Sequence, residues 1–217
     1  MNILVVRNSE TAPEGAFGDW LRAQGHVLVV VAAEAVTPAQ MQAAPLVLLL
    51  GSPRGAYQTE IPWVAAQRPM VAARLAARLP TIGICFGAQM MAAAAGGAVA
   101  RHPEGRFFRG WLGIEETADP ALAGPWPRWH GDVIIPPPEA EVLARDAGTV
   151  QAFALPNAIA VQFHPEATPA LLRDWARLSP EGAVAPGTLD NSETLFAERA
   201  SARARLFTAL MERAGAA

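Results

Sequence analysis

Lysine is absent from this sequence of 217 residues, and all 17 of its cationic side chains are arginines. The chain therefore cannot use a Schiff-base lysine or the lysine of a phosphate-binding loop. Charged residues make up only 17%, and the formal net charge is −3, so composition offers no electrostatic reason to expect nucleic acid or an anionic membrane as a partner. Hydrophobic residues reach 52%, which predicts a globular chain and not a disordered one.

Cysteine is nearly absent as well. Cys85 alone cannot form a disulfide within the chain, which favours a reducing, cytoplasmic location. No apolar run approaches the ~20 residues of a membrane-spanning helix, and residues 2–6 begin an apolar strand without the basic region of a signal peptide. The sequence also has no His-Glu-x-x-His motif and no thiolate cluster, so no metal and no cofactor are expected.

Short apolar runs alternate with helical segments in the first half of the chain. Strands buried on both faces are predicted over residues 3–6, 27–32, 46–50 and 81–84, and helices over 14–24, 38–42 and 88–95. A helical stretch over 62–79 is expected to break at Pro69, with Arg74 and Arg78 facing solvent. This alternation predicts an α/β fold with a doubly wound, mostly parallel sheet, whose ligands bind beyond the carboxyl ends of the strands.

The second half of the chain has a different pattern. Shorter strands separated by Pro- and Gly-containing turns, over residues 107–115, 133–135, 150–155 and 159–163, predict added β-hairpins. Helices over 168–178 and 192–213 complete the chain, and His26 and His102 are expected in loops or at the surface. We expect one domain over residues 1–217, with a core over 1–178 and a C-terminal loop and helix over 179–217; the sequence does not indicate an oligomeric state.

Cys85 lies between a predicted strand and a predicted helix, with Gly83 and Gly87 two residues to either side. A residue on such a tight turn adopts strained dihedral angles, and the glycines let the helix approach the strand. The thiol then lies over the amino end of the helix, where unpaired N–H groups and the helix dipole favour a thiolate. Comparable settings lower the pKa of a cysteine from about 8.5 to roughly 3.5–7.5. The glycines favour an activated nucleophile over the alternative, a buried structural cysteine.

Three other segments carry polar groups that are candidates for a functional site. The apolar strand over 159–163 ends in His164-Pro165-Glu166, where the carboxylate can hold one imidazole nitrogen while the other faces a nucleophile. The segment Trp129-His130-Gly131-Asp132 either binds a polar ligand or stabilises a turn. The loop Gly51-Ser52-Pro53-Arg54-Gly55 offers N–H groups for an oxyanion, or is an ordinary turn.

Taken together, Gly-Ile-Cys-Phe-Gly-Ala-Gln at 83–89 and Phe-His-Pro-Glu at 163–166 resemble the class I (triad) glutamine amidotransferases. The resemblance covers roughly residues 1–177, and residues 129–132, 136–138 and 151–153 are most similar to the stand-alone, GMP-synthase-like branch. Related families of peptidases and deglycases place a histidine directly after the cysteine, whereas this chain has Phe86. The resemblance implies hydrolysis of L-glutamine to glutamate and ammonia through a γ-glutamyl thioester.

The same resemblance implies roles for individual residues. Cys85 would be the nucleophile, His164 the general acid and base, and Glu166 the residue that orients His164. The backbone N–H groups of Ser52 and Phe86 would form the oxyanion hole. Substrate-binding positions would be Gly51, Gln89 and Asp132.

The chain departs from the family in two respects. No synthetase domain accompanies the predicted domain, so the ammonia would pass to a separate synthetase subunit or be released. Where stand-alone relatives tend to have an acidic residue before Gly-Trp, this chain has Arg109. Two alternatives to a glutaminase stay open: a hydrolase of γ-glutamyl conjugates such as γ-glutamyl amines, and a non-catalytic glutamine-binding subunit.

Overall fold

The computed structural model describes residues 1–146 and 148–216, so residue 217, the last of the predicted domain, lies outside the described residues. The strands are β1 Asn2–Arg7, β2 Val27–Ala32, β3 Leu46–Leu49, β4 Thr81–Ile84, β5 Ala98–Arg101, β6 Phe108–Leu112, β7 Glu116–Thr117, β8 Trp126–His130, β9 Asp132–Ile135, β10 Glu141–Asp146, β11 Thr149–Leu155 and β12 Ala158–Val161. The helices are α1 Gly15–Ala23, α2 Pro38–Ala43, α3 Pro62–Ala76, α4 Phe86–Ala94, α5 Pro169–Leu178, α6 Ser192–Glu198 and α7 Ala200–Arg213.

An eight-stranded sheet in the order β2-β1-β3-β4-β12-β11-β10-β7 forms the centre of the fold. The first five strands in that order pair in parallel, and β11, β10 and β7 continue the sheet antiparallel. Two small antiparallel pairs, β5 with β9 and β6 with β8, join strands that are not consecutive and lie outside this sheet. Of the strands predicted to form hairpins, β11 and β12 do so, within the main sheet. The expected α/β fold with a mostly parallel sheet is therefore confirmed.

Both faces of the sheet are covered by apolar side chains. On one face Ile3, Leu48 and Ile84 pack with Phe17 of α1 and Phe207 of α7, all fully or almost fully buried. On the other face, side chains of β3 and β12 pack against the apolar residues of α3 and α4. A parallel strand covered on both faces needs a continuous apolar sequence, which is what β1, β3, β4 and β12 have. No helix within residues 1–146 and 148–216 is both long and apolar enough to cross a membrane.

Strand β2 differs from its prediction because it lies at the edge of the sheet. Val27, Val29 and Val30 are 58%, 44% and 37% exposed, so the strand is not buried as expected. A run of valines indicates a strand, but it does not tell a central strand from an edge strand, since that depends on which other strands pair with it.

The helix after β3 also differs from its prediction. Helix α3 runs without interruption from Pro62 to Ala76 with Pro69 inside it, where a break was expected. Arg74, expected at the surface, is fully buried: its guanidinium donates to the carbonyl oxygens of Met41, Ala44 and Pro80 and to the hydroxyl of Thr81. Burial lowers the pKa of Arg74 to about 10. These acceptors lie at the end of α2 and the start of β4, so Arg74 fixes both to α3.

His102 lies in the loop after β5, as one of the two expectations for it states, although it is only 7% exposed and its ring packs edge-on against Phe108. One further expectation fails in detail. The final helical region, expected over 192–213, is divided into α6 and α7 at Arg199.

Candidate active site

Cys85 occupies the turn between β4 and α4, as its flanking glycines predict. Its backbone has φ 51° and ψ −106°, a conformation that L-residues rarely adopt, and its N–H donates to the carbonyl of Val161 in β12 at 2.9 Å. A Cβ at Gly87 would lie 2.2 Å from the carbonyl oxygen of Leu49, and one at Gly83 would lie 2.5 Å from Sδ of Met91. Only glycine allows α4 to pack this close to the strands, and this packing holds the thiol at the carboxyl end of the sheet.

His164 and Glu166 follow β12, the neighbour of β4 in the sheet. Nδ1 of His164 lies 2.7 Å from Oε1 of Glu166, and both side chains are almost fully buried. The backbone holds this pair in place: the N–H of His164 donates to the carbonyl of Pro127 at 2.7 Å, and the carbonyl of Glu166 accepts from the N–H of Ala16 at 2.9 Å. The carboxylate can thus fix the imidazole and stabilise a positive charge on it.

The thiol and the imidazole converge beside Gly51. A Cβ built at Gly51 would lie 3.1 Å from Cε1 of His164 and 3.8 Å from Cβ of Cys85. Burial lowers the pKa of His164, but charge interactions and hydrogen bonds with Cys85 and Glu166 outweigh it and raise the pKa to about 10. At neutral pH this environment favours the imidazolium form of His164.

The loop that carries Gly51 and Ser52 is held by buried amides. Nδ2 of Asn8 donates to the carbonyl of Leu50 at 2.8 Å, and Nε2 of Gln67 donates to Oδ1 of Asn8 at 2.8 Å. Ser52 lines the adjacent cavity. The N–H of Phe86 belongs to the first turn of α4, where backbone donors have no acceptor within the helix. Phe86 directly follows Cys85 and Ser52 lines the same cavity as Cys85, while the oxyanion hole itself stays a prediction.

Two glutamines connect the thiol of Cys85 to the cavity. Nε2 of Gln162 donates to Sγ of Cys85 at 3.6 Å, and Oε1 of Gln162 accepts from Nε2 of Gln89 at 3.3 Å. Gln162 is fully buried, whereas Gln89 lines the cavity. The sequence analysis assigned no role to Gln162, although a polar residue within the apolar run 159–163 was an available signal.

A cavity of about 410 Å³ opens onto the thiol and the imidazole. Its lining includes the predicted site residues Ser52, Cys85, Gln89, Asp132 and His164. Burial raises the pKa of the Asp132 carboxyl, against the opposing effects of Arg101 and Tyr57. The volume lies within the range of about 300–1,000 Å³ typical of small-molecule sites.

The segment around His130 stabilises a turn, which is one of the two roles that the sequence left open. Nδ1 of His130 lies 3.0 Å from the main-chain oxygen of Asp132, which stabilises the turn at Gly131. His130 and Asp132 also line the cavity. Burial, the largest effect, lowers the pKa of His130 to about 3, so the ring is neutral at physiological pH.

Two groups of cavity residues were not predicted to belong to the site, although Arg109 stood out in the sequence as a departure from the stand-alone relatives. The ring of Trp175 packs 4.7 Å from that of His164, and its Nε1 donates to the carbonyl of Thr11 at 2.6 Å. Four arginines also line the cavity. Arg54 lies in the loop after β3, Arg101 in β5, Arg106 in the segment before β6 and Arg109 in β6. Neither group has a local sequence signal, because their members meet only through the tertiary fold. Within residues 1–146 and 148–216, no cluster of three or more His, Cys, Asp or Glu residues is arranged to hold a metal ion.

Residues 19–174 match the family model described as glutamine amidotransferase class-I. The glutamine-hydrolyzing GMP synthase of Thermomicrobium roseum is 38% identical over 132 residues, which cover 55% of this chain and 23% of that protein. The corresponding protein of Methylobacillus flagellatus is 31% identical over 138 residues, covering 56% of this chain and 25% of that protein. The match thus spans about a quarter of the length of these curated relatives.

Solved structures share the fold over nearly the whole chain. A glutamine amidotransferase from Methylobacillus flagellatus has a TM-score of 0.86 at 22% identity, covering 97% of this chain and 94% of that chain. A glutamine amidotransferase from Thermotoga maritima has a TM-score of 0.83 at 23% identity, covering 99% of this chain and 98% of that chain. The match over residues 19–174 confirms the family resemblance inferred from the two motifs, and these structures confirm the fold.

Proposed function

Because the chain belongs to the class-I glutamine amidotransferase family, we propose that it hydrolyses the side-chain amide of L-glutamine with Cys85 as nucleophile, His164 as general acid and base, and Glu166 as the residue that orients His164. The observation that carries this proposal is the convergence of Cys85 and the His164–Glu166 pair at one cavity. The raised pKa of His164 supports it, because an imidazolium is ready to donate a proton.

The reaction proceeds in two stages. The thiolate of Cys85 attacks the amide carbon of glutamine, and the N–H groups of Ser52 and Phe86 stabilise the developing oxyanion; losing one such donor typically costs about a hundred- to thousandfold in rate. The C–N bond breaks as His164 gives its proton to the departing nitrogen, which leaves as ammonia. A γ-glutamyl thioester remains on Cys85 until water, deprotonated by His164, attacks it and releases glutamate.

Substrate binding in this proposal uses two polar residues that line the cavity. Asp132 attracts the α-ammonium of glutamine, and Gln89 donates or accepts a hydrogen bond. Gly51 leaves space for the imidazole ring of His164, which a side chain there would meet. A synthetase subunit outside these 217 residues is the proposed acceptor of the ammonia, since the matched relatives named GMP synthase extend far beyond the shared region.

Removing the thiol tests the proposal. Cys85→Ala is expected to lower release of glutamate and ammonia from glutamine by at least about a thousandfold, the scale seen when a nucleophile is lost. A glutamine analogue carrying an electrophile at the amide position should label the protein at Cys85. The matched control is Ser201→Ala, a polar residue exposed on α7.

The assay is run with and without cell extract as a source of the synthetase subunit. Turnover retained in Cys85→Ala would contradict the assignment of the nucleophile. Glutamine binding by calorimetry without turnover, even with extract, would favour a non-catalytic binding subunit.

A further inference from the structure

The buried carboxylate of Glu166 is not held by side chains other than His164. Its Oε1 lies 2.7 Å from Nδ1 of His164, and its Oε2 is shielded from solvent and has no hydrogen-bond partner within residues 1–146 and 148–216. The carboxylate orients the imidazole, but hydrogen bonds from other side chains do not orient the carboxylate. The position of the pair therefore depends on what holds the main chain of Glu166.

The first turn of α1 packs directly on the main chain of Glu166. The N–H of Ala16 donates to the carbonyl oxygen of Glu166 at 2.9 Å. Gly15, the residue before it, has a φ of 45°, and a Cβ there would lie 2.3 Å from the same carbonyl oxygen and 3.2 Å from its carbon. A distance of 2.3 Å is well below the ~3.5 Å of van der Waals contact. Only glycine at this position therefore lets α1 come close enough to Glu166 for the hydrogen bond to form.

Glu14, the residue before α1, fixes this turn to the central sheet. Its side chain is 8% exposed, and its carboxylate accepts from Arg7, the last residue of β1, at 2.9 Å and from Arg22 of α1 at 2.5 Å. Burial raises the pKa of Glu14, but the hydrogen bonds from Arg7 and Arg22 outweigh burial and lower the pKa. Charged hydrogen bonds of this kind are the strong ones. The first turn of α1 is thus held by β1 on one side and contacts Glu166 on the other.

We propose that the first turn of α1 is a positioning element, in which Gly15 and Ala16 set the main chain of Glu166 and, through its carboxylate, the imidazole of His164. The inference rests on the proposed function, in which His164 is the general acid and base. Gly15 and Ala16 are not among the described residues that line the cavity, so substrate binding does not use them. They act on the rate, because a displacement of about 1 Å at a reacting group can cost about a hundredfold.

Gly15→Ala tests this role by kinetics. The added methyl group must displace the main chain of Glu166, so we expect kcat for glutamine to fall by about tenfold to a hundredfold while KM changes by less than about threefold. Gly25→Ala is the matched control, because Gly25 follows α1 with a φ of 81°, yet a Cβ there meets no atom within 4 Å. An unchanged kcat in Gly15→Ala, or a kcat reduced equally in Gly25→Ala, would overturn the proposal.

A second variant, Ala16→Pro, removes the hydrogen-bond donor and leaves Gly15 in place. A helix tolerates proline in its first turn, because an N–H group there has no acceptor within the helix. The helix should therefore form, as circular dichroism can verify, while the bond to the carbonyl of Glu166 is lost. We expect the same pattern as in Gly15→Ala, a lower kcat with little change in KM. A raised KM with an unchanged kcat would contradict a positioning role.

The proton between His164 and Glu166 provides a readout that does not depend on turnover. A proton held between an imidazole and a carboxylate resonates far downfield in proton NMR spectra, and its absence from His164→Gln assigns the signal. In Gly15→Ala and Ala16→Pro this signal should move upfield or disappear through exchange with water, whereas Gly25→Ala should retain it. If the two variants lowered only the free energy of unfolding and left the signal in place, the turn would be structural and the proposal would be wrong.

The kinetic and NMR measurements together separate this proposal from the proposed function. If the wild-type protein does not hydrolyse glutamine but the signal moves in Gly15→Ala, the proposed function fails while the positioning of Glu166 and His164 by α1 stands. If the wild type hydrolyses glutamine and both kcat and the signal are unchanged in Gly15→Ala and Ala16→Pro, the positioning role fails alone.

Discussion

At the scale of single residues, the contact between Gln162 and Cys85 bears on the reactivity of the thiol. The amide of Gln162 donates to Sγ from a position that is closed to solvent, and a buried donor stabilises a thiolate more than a thiol. Its second contact, with Gln89, extends to the cavity wall. We therefore infer that Gln162 is a positioning residue between Cys85 and the cavity.

Replacing Gln162 by leucine keeps the volume and removes the donor. We expect Gln162→Leu to lower kcat/KM for glutamine by about tenfold and to slow alkylation of Cys85 by iodoacetamide at neutral pH, because less of the thiol is ionised. Gln151→Leu is the matched control, since Gln151 is also fully buried but its amide donates to Thr149 and not to Cys85. An unchanged alkylation rate in Gln162→Leu would mean that the amide does not support the thiolate.

The buried ring of His130 predicts a specific dependence of stability on pH. Its pKa is about 3 in the folded protein against 6.5 in the unfolded chain, so between these values the unfolded state binds the proton that the folded state excludes. The free energy of unfolding therefore falls as the pH decreases from 6.5 towards 3, with a limiting slope of about 1.4 kcal/mol per pH unit from this group.

Urea unfolding of the wild type and His130→Gln at intervals between pH 7 and pH 4 measures this contribution. The difference in unfolding free energy between the two proteins should shrink as the pH decreases, since glutamine does not titrate. His26→Gln, at a less buried histidine near the amino terminus, provides the control, with a smaller change over the same range. If the free energies of unfolding of the wild type and His130→Gln changed equally with pH, protonation of His130 would not destabilise the folded state, and the prediction would be wrong.

At the scale of elements, the Cys85 turn was predictable because its determinants are close together in the sequence. Gly83 and Gly87 flank the cysteine, and each permits a contact that a Cβ would prevent. The spacing of His164 and Glu166 likewise allows the 2.7 Å contact between their side chains. Short-range geometry of this kind is set by neighbouring residues, so it can be inferred from their order alone.

Elements whose environment depends on distant parts of the chain were predicted less well. Arg74 has the spacing of a solvent-facing helical residue, but its guanidinium donates to three carbonyls, two at the carboxyl end of α2 and one just before β4. Strand β2 has the composition of a central strand, yet no strand pairs with its outer side in the described sheet. The arginines of the cavity follow the same rule, because they come together only when β5, β6 and the loop after β3 meet.

At the scale of the whole molecule, the C-terminal helix is part of the main core. Phe207 stacks on Phe17 with 4.5 Å between ring centroids and lies 5.7 Å from Trp20. Leu206 and Leu210 of the same helix are fully buried in the cluster that includes Ile3 of β1. Although α7 follows the matched region, residues 19–174, it covers one face of the sheet against α1.

This packing predicts that α7 unfolds together with the sheet. Phe207→Ala should lower the free energy of unfolding by about 3–5 kcal/mol, the usual cost of removing a buried phenylalanine, and unfolding should remain a single transition. Such a loss is a large fraction of the roughly 5–15 kcal/mol that stabilises a typical domain. Activity at temperatures well below the unfolding transition should stay close to that of the wild type, because Phe207 does not line the cavity.

Phe196→Ala is the matched control for Phe207→Ala. Phe196 lies on α6, is only partly buried and packs under the guanidinium of Arg203 at 3.7 Å, so its removal should cost clearly less. Urea unfolding, monitored by both fluorescence and circular dichroism, shows whether α7 unfolds together with the sheet or separately. The prediction would be wrong if unfolding showed two separate transitions. It would also be wrong if Phe207→Ala lowered the free energy of unfolding no more than Phe196→Ala does, since the core of the sheet would then not depend on α7.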